Sequence, residues 1–160
     1  MDIVEKIIAG HRVVDEKRDM LSKLVNMLDT DPFFWDKAEK IEFFFKKELV
    51  EHFALEERVL FPVLKKVLTG RELEILKEIE REHVPLSQKL NELRSFSVSH
   101  MRYASKATRE PMIKSACELV EKIVSHAARE DKELFPGLKA RLSPENNREL
   151  EDLYFKYLKV

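Results

Sequence analysis

Apolar residues recur at steps of three and four along nearly the whole chain: Val4, Ile7, Ile8, Val14, Leu21, Val25 and Leu28, then Phe34, Ala38, Ile41, Phe45, Leu49, Val59, Val63 and Val67. A period near 3.6 puts these side chains on one stripe of a helix, whereas a half-buried strand needs a period of two. The pattern breaks at Thr30-Asp31-Pro32, at Thr69-Gly70, within Ser99 to Thr108, and at Leu142-Ser143-Pro144, where cap residues, glycine and proline gather. Helices are predicted over 2–29, 34–68, 71–100, 109–140 and 144–158. Only 3 glycines and 6 prolines in 160 residues, with 44% hydrophobic and 37% charged side chains, exclude a turn-rich β-sandwich and a disordered chain. The expected fold is all-α: an antiparallel up-down-up-down four-helix bundle with a short C-terminal fifth helix, forming a single domain over 1–160.

Charge and termini narrow the partners. With 29 basic against 30 acidic residues the net charge is -1, so there is no electrostatic footprint for nucleic acid or an anionic membrane. Acidic residues from position 2, no apolar leader and no long apolar run predict a cytoplasmic protein. Cys117 is the single cysteine, so no internal disulfide forms, as expected of a reducing compartment.

An internal repeat carries the functional signal. HFALEERVLFP at 52–62 and HAAREDKELFP at 126–136 share His, Ala, Glu, Leu, Phe and Pro in register, 74 residues apart. One further histidine precedes each copy: His11 lies 41 residues before His52, and His83 lies 43 before His126. Residues four apart on a helix differ by about 40° and one turn, so His52 with Glu56, and His126 with Glu130, can aim at one point. Height can be tested as well, because two residues of an antiparallel hairpin are level when the turn lies midway between them. The midpoint of His11 and His52 falls on Asp31-Pro32, that of the second-helix pair and His83 beside Thr69-Gly70, and that of His83 and His126 inside the third break.

His11, His83 and His126 also share the apolar stripes of their helices. One core histidine usually serves packing, and one His-x-x-x-Glu pair is usually a surface ion pair. Four imidazoles and two carboxylates in one apolar layer need a common partner, and a metal is the partner that satisfies several at once. Asp15 and Glu48, each one turn from a candidate ligand, are read with equal weight as extra ligands or acceptors for imidazole N–H groups and as helix-surface charges. Arg18 is in phase to pair with such a carboxylate. Cys117 should face away from the layer, His100 should be exposed near the bundle end, and the Phe61-Pro62 and Phe135-Pro136 steps should kink their helices.

At these residues the chain resembles the hemerythrin-like family, in particular the HHE cation-binding domains, with their His, His-x-x-x-Glu, His, His-x-x-x-Glu order on four helices. The likeness covers His11 to Pro136. It implies two iron ions in a non-haem centre with an Fe–O–Fe unit: His11 and His52 on one iron, His83 and His126 on the other, Glu56 and Glu130 bridging. Zinc and manganese also accept this donor set. The chain departs from the oxygen carriers, which have a further third-helix histidine at a spacing of four and an aspartate five residues after the last histidine. Here Ile79 and Ser87 flank His83 at that spacing, and the final carboxylate is Glu130 at spacing four. Ser87 is therefore expected to leave room for water or an exogenous ligand. The resemblance implies binding or sensing of O2, NO or iron, with a small diatomic ligand as the partner. Its rivals are a di-iron oxidoreductase acting on O2, NO or peroxide, and a structural-metal interaction module.

Overall fold

The computed structural model describes residues 2–93 and 97–159. Four long helices dominate: α1 (Ile3–Asn26), α2 (32–67), α3 (Gly70–Glu92) and, after the short α4 (Val98–Tyr103), α5 (106–134). A four-residue helix α6 (Leu138–Arg141) and α7 (Pro144–Leu158) complete the chain. No strand occurs among the described residues.

The starts follow local chemistry. Asp2 caps α1 by accepting from the Glu5 amide, and Asp31 caps α2 by accepting from Phe33, with Pro32 at the first helical position. Ser105 caps α5, and Ser143 with Asn146 forms a reciprocal capping box ahead of α7. Gly70 and Gly137 adopt positive φ (59° and 71°) at two reversals, a region where a side chain would be strained.

Three of the expected helix spans are corrected. The one expected over 109–140 runs over 106–134 and stops at the Phe135-Pro136-Gly137 turn, where Gly137 is left-handed, before α6. The first helix ends at Asn26 instead of 29, because Asp29 is drawn into a turn: its carbonyl accepts from Trp35 Nε1 and its carboxylate pairs with Arg109. The third ends at Glu92 instead of 100, where Leu93 leaves helical geometry (ψ 4°). Residues 98–103 form α4, and the expected helix at 94–96 lies outside the described residues. The buried Arg109 fixes this corner, donating to the Met101 and Ala104 carbonyls at 3.1 and 2.7 Å and stacking over Trp35. Arg109→Met is expected to destabilise the fold by ~3 kcal/mol in urea unfolding, because it strands those carbonyls and Asp29. A loss below about 1 kcal/mol would show that the corner holds without it.

The repeated Phe-Pro steps, where kinks are expected, share one local feature. Each is preceded by one π-helical turn, Glu56–Leu60 and Glu130–Leu134, in which the Phe61 and Phe135 amides donate to the carbonyls of Glu56 and Glu130, five residues back. Proline cannot extend the i→i−4 ladder, and the wider turn absorbs the missing bond. A third π turn, Phe44–Glu48, precedes His52.

Each long helix packs on two others: α1 on α2 and α5, and α3 on α2 and α5. Two apolar clusters result. One joins the C-terminal half of α1 (Val14, Leu21, Leu24) to the first half of α2, the end of α3 and the start of α5, with Cys117 packed partly buried against it. The other joins Ile3, Val4 and Ile7 to the end of α2, the start of α3, Leu134, Phe135 and α7. Between the two lies a polar layer.

Candidate metal centre

That layer contains the six residues singled out by their spacing. Glu56 and Glu130 are fully buried, and His11, His83 and His126 are buried with them; His52 is slightly more open, at 11% side-chain exposure. Glu56 is the hub. Its Oε1 lies 3.0 Å from His52 Nε2 and 3.6 Å from His11 Nε2, and its Oε2 lies 2.9 Å from His83 Nε2. Glu130 Oε1 stands 2.7 Å from His126 Nε2. The donor atoms form two groups, each within 4.8 Å: His11, His52 and Glu56; and Glu56, His83, His126 and Glu130. Glu56 belongs to both groups, Glu130 to one.

The donor set fits a cation. His11 Nε2 and all four carboxylate oxygens of Glu56 and Glu130 are buried without a hydrogen-bond partner. His83 Nε2 and His126 Nε2 face each other at 2.9 Å. Orphaned buried polar atoms are rare because each forfeits its hydration, and five in one layer call for a charge to satisfy them.

Three imidazoles are held from behind by carboxylates that the sequence reading did not single out. His11 Nδ1 donates to Asp131 Oδ1 (2.8 Å), His83 Nδ1 to Glu57 Oε1 (2.9 Å) and His126 Nδ1 to Glu82 Oε2 (2.7 Å). A proton on Nδ1 leaves the Nε2 lone pair directed inward, the tautomer a metal ligand needs. Arg129 in turn clamps Glu82 and Glu133 at 2.7 Å each, together with Glu78. The signal was in the repeat: an acid follows the central glutamate in both copies, Glu57 and Asp131. One residue on is 100° around the helix, so these acids reach a neighbouring helix instead of the centre. The wiring crosses over, because each copy's acid holds the lone histidine of the other half. The repeated phenylalanines cross in the same way, Phe61 against His83 and Phe135 stacked on His11, with centroids 5.4 and 5.9 Å apart.

The other expected neighbours lie elsewhere. Asp15 is exposed and lies 4.0 Å from the Arg18 guanidinium, the surface arrangement among its two readings. Glu48 lines a cleft outside His52 without a hydrogen bond to it, and Ser87 lines a surface cleft beside His83 and Glu57. His100 is exposed on α4.

Electrostatics follow from burial and crowding. Burial, then the adjacent Glu56 charge, push Glu130 up to about 8. Burial opposes the Glu56 charge too, but His52, His11 and His83 hold it well below the usual carboxylate range. His83 rises to about 9 because Glu56 and Glu57 outweigh its burial, and His11 and His126 rise for the same kind of reason. For the metal-free chain the sign is set by linkage. The His83 contribution is complete below 6.5 and lost as pH rises through about 9, and that of Glu130 is lost from 4.5 through about 8. The metal-free melting midpoint is therefore expected to fall between pH 6.5 and 9, by several degrees at about 2–4 °C per kcal/mol. The metal-loaded midpoint should stay flatter, since a coordinated nitrogen has no proton to lose. Parallel profiles for the two forms in thermal scans would contradict this.

No helix among the described residues is long and apolar enough to cross a membrane. No curated protein and no solved structure matches the chain. Over residues 2–138 it matches the family described as Hemerythrin HHE cation binding domain, and this span contains all six clustered residues and the three carboxylates behind them. The chain belongs to the hemerythrin HHE cation-binding domain family.

Proposed function

We propose that the protein is a cytoplasmic non-haem di-iron protein that binds or senses O2, NO or iron within a single antiparallel up-down-up-down four-helix domain. The observation that carries the reading is Glu56, which belongs to both donor groups and whose two carboxylate oxygens are buried without a hydrogen-bond partner. His11 and His52 would hold one iron, His83 and His126 the other, with Glu56 between them and Glu130 on the side of His126. Mixed imidazole and carboxylate ligation suits iron, and when bound a reducible iron pair supplies affinity for diatomic molecules and one-electron chemistry. The chain's own contribution is to orient and insulate. Asp131, Glu57 and Glu82 fix the imidazole tautomers, while Phe53, Phe61 and Phe135 pack on the rings and keep water from the layer. Three protein donors on one octahedral ion and four on the other leave about three and two positions free, more than a closed structural site offers.

Metal analysis with an optical spectrum of aerobically purified protein tests the reading. Two irons per chain with near-ultraviolet charge-transfer absorption are expected. Stoichiometric zinc that iron does not replace, or no metal at all, would overturn it. Catalytic turnover of O2, NO or peroxide with a reductant would move the assignment from a binding protein to an oxidoreductase.

A further inference from the structure

The outer carboxylates break the twofold pattern at one place. Glu82, immediately before His83, accepts the Nδ1 proton of His126. The equivalent residue in the first half, immediately before His11, is Gly10, and it faces the equivalent imidazole: a Cβ on Gly10 would lie 2.5 Å from His52 Nδ1. The fourth imidazole therefore stands where its three counterparts have a carboxylate, with no hydrogen-bond acceptor among the described residues. In place of the side chain there is a cleft of about 630 Å³, bounded by Gly10, His52, Leu55, Lys6, Arg58 and Tyr154.

The charges around this cleft are rearranged to match. In the second half the carboxylate is held by Arg129, and Glu78 lies one turn before it. In the first half the position equivalent to Arg129 is Leu55, and that equivalent to Glu78 is Lys6. The cation has moved to the other helix and the acid is missing. Lys6 Nζ donates to the Tyr154 hydroxyl at 2.6 Å, and the Arg58 guanidinium lies over the Tyr157 ring. Neither cation has a carboxylate within ion-pair distance among the described residues. Both tyrosines belong to α7, which lies beyond the matched span and forms the outer wall of the cleft. Glu48 and Glu51 line the cleft too, before His52 in the chain, whereas Arg58 follows it, so an anion is directed to the Lys6 and Arg58 end.

We infer that this cleft is a binding site for a small carboxylic acid with an apolar body, whose carboxylate accepts the His52 Nδ1 proton and pairs with Lys6 in the place that Glu82 fills on the other side. The volume is that of a small-molecule pocket, and its mixture of apolar walls with a few convergent polar groups is the usual composition of one. Such a ligand would orient His52 from behind and so couple an organic acid to the metal layer without touching a metal. The inference rests on the metal-binding reading only for the inward direction of His52 Nε2.

Calorimetric titration of the metal-loaded protein with benzoate tests it, with benzamide as the neutral counterpart. Benzoate is expected to bind one to one with a dissociation constant of about 1 mM or tighter. Lys6→Met should weaken it at least tenfold, benzamide should bind at least tenfold more weakly, and Val13→Trp, on the wall of the same cleft, should abolish binding by filling it. No saturable heat up to about 10 mM, or heat unchanged in both variants, overturns the inference. So does one-for-one displacement by azide, which would place benzoate on the metal. Metal content is measured on the same samples. A chain that binds benzoate in this variant-sensitive way without metal would support the cleft and defeat the di-iron reading; a di-iron chain that ignores benzoate would do the reverse.

Discussion

Glu56→Ala is expected to release both metals, with a loss of affinity larger than the roughly 100-fold that removal of an outer hydrogen-bond partner costs. Among the described residues Glu56 alone is shared by the two donor groups, within 3.6 Å of three imidazole nitrogens, so its removal leaves neither group intact. Glu130→Ala should act first on the ion held by His83 and His126, because Glu130 stands against His126 and belongs to that group alone. Metal per chain after timed exposure to a mild chelator separates the cases: near zero for Glu56→Ala, and an intermediate plateau for Glu130→Ala. The metal-free chain supplies a control on folding. Burial and the Glu56 charge hold Glu130 near 8, so without Glu56 the Glu130 pKa should move down toward its usual range. A Glu56→Ala protein that retains two slowly exchanging metals would show that Glu56 does not bridge.

The inner layer was legible because helical geometry turns spacing into position. His11, His52, His83 and His126 could be placed at one height from turn midpoints alone, and the i, i+4 spacing brought Glu56 and Glu130 beside them. What spacing could not give was the view from outside. Asp15 and Glu48 lie one turn from a candidate ligand on the same helix, but three imidazoles find their acceptors on neighbouring helices, where sequence separations are 26, 44 and 120 residues. Pairing across helices depends on rotation about each axis, and the π turns alter that rotation by inserting a residue. Helix ends failed for a similar reason. Nothing local in the sequence announces that Arg109 will collect Asp29 and the two carbonyls at the end of α4.

The crossed wiring makes a prediction that a simple ligand list would not. Asp131 lies in the second repeat, next to Glu130, yet its carboxylate holds His11 of the first half; Glu57 lies next to Glu56, yet holds His83. Asp131→Ala should therefore weaken the ion bound by His11 and His52 by about 10–100-fold, and Glu57→Ala the ion bound by His83 and His126. Both acids are nearly half exposed, so each replacement removes a solvated carboxylate and its cost falls on the buried imidazole that loses its acceptor. A double-mutant cycle identifies the path. If Asp131 acts by holding His11, then His11→Ala combined with Asp131→Ala should lose no more metal affinity than His11→Ala alone, whereas Asp131→Ala added to His83→Ala should contribute its full cost. Glu57 should behave in the mirror sense, silent on the His83→Ala background and fully effective on that of His11→Ala. Additive losses on both backgrounds would mean that the acids act through the general negative field of the layer. In that case the two halves would not be cross-linked through their lone histidines, and raising the salt concentration would weaken the effect of both substitutions alike, as it does for partly exposed charges acting at a distance.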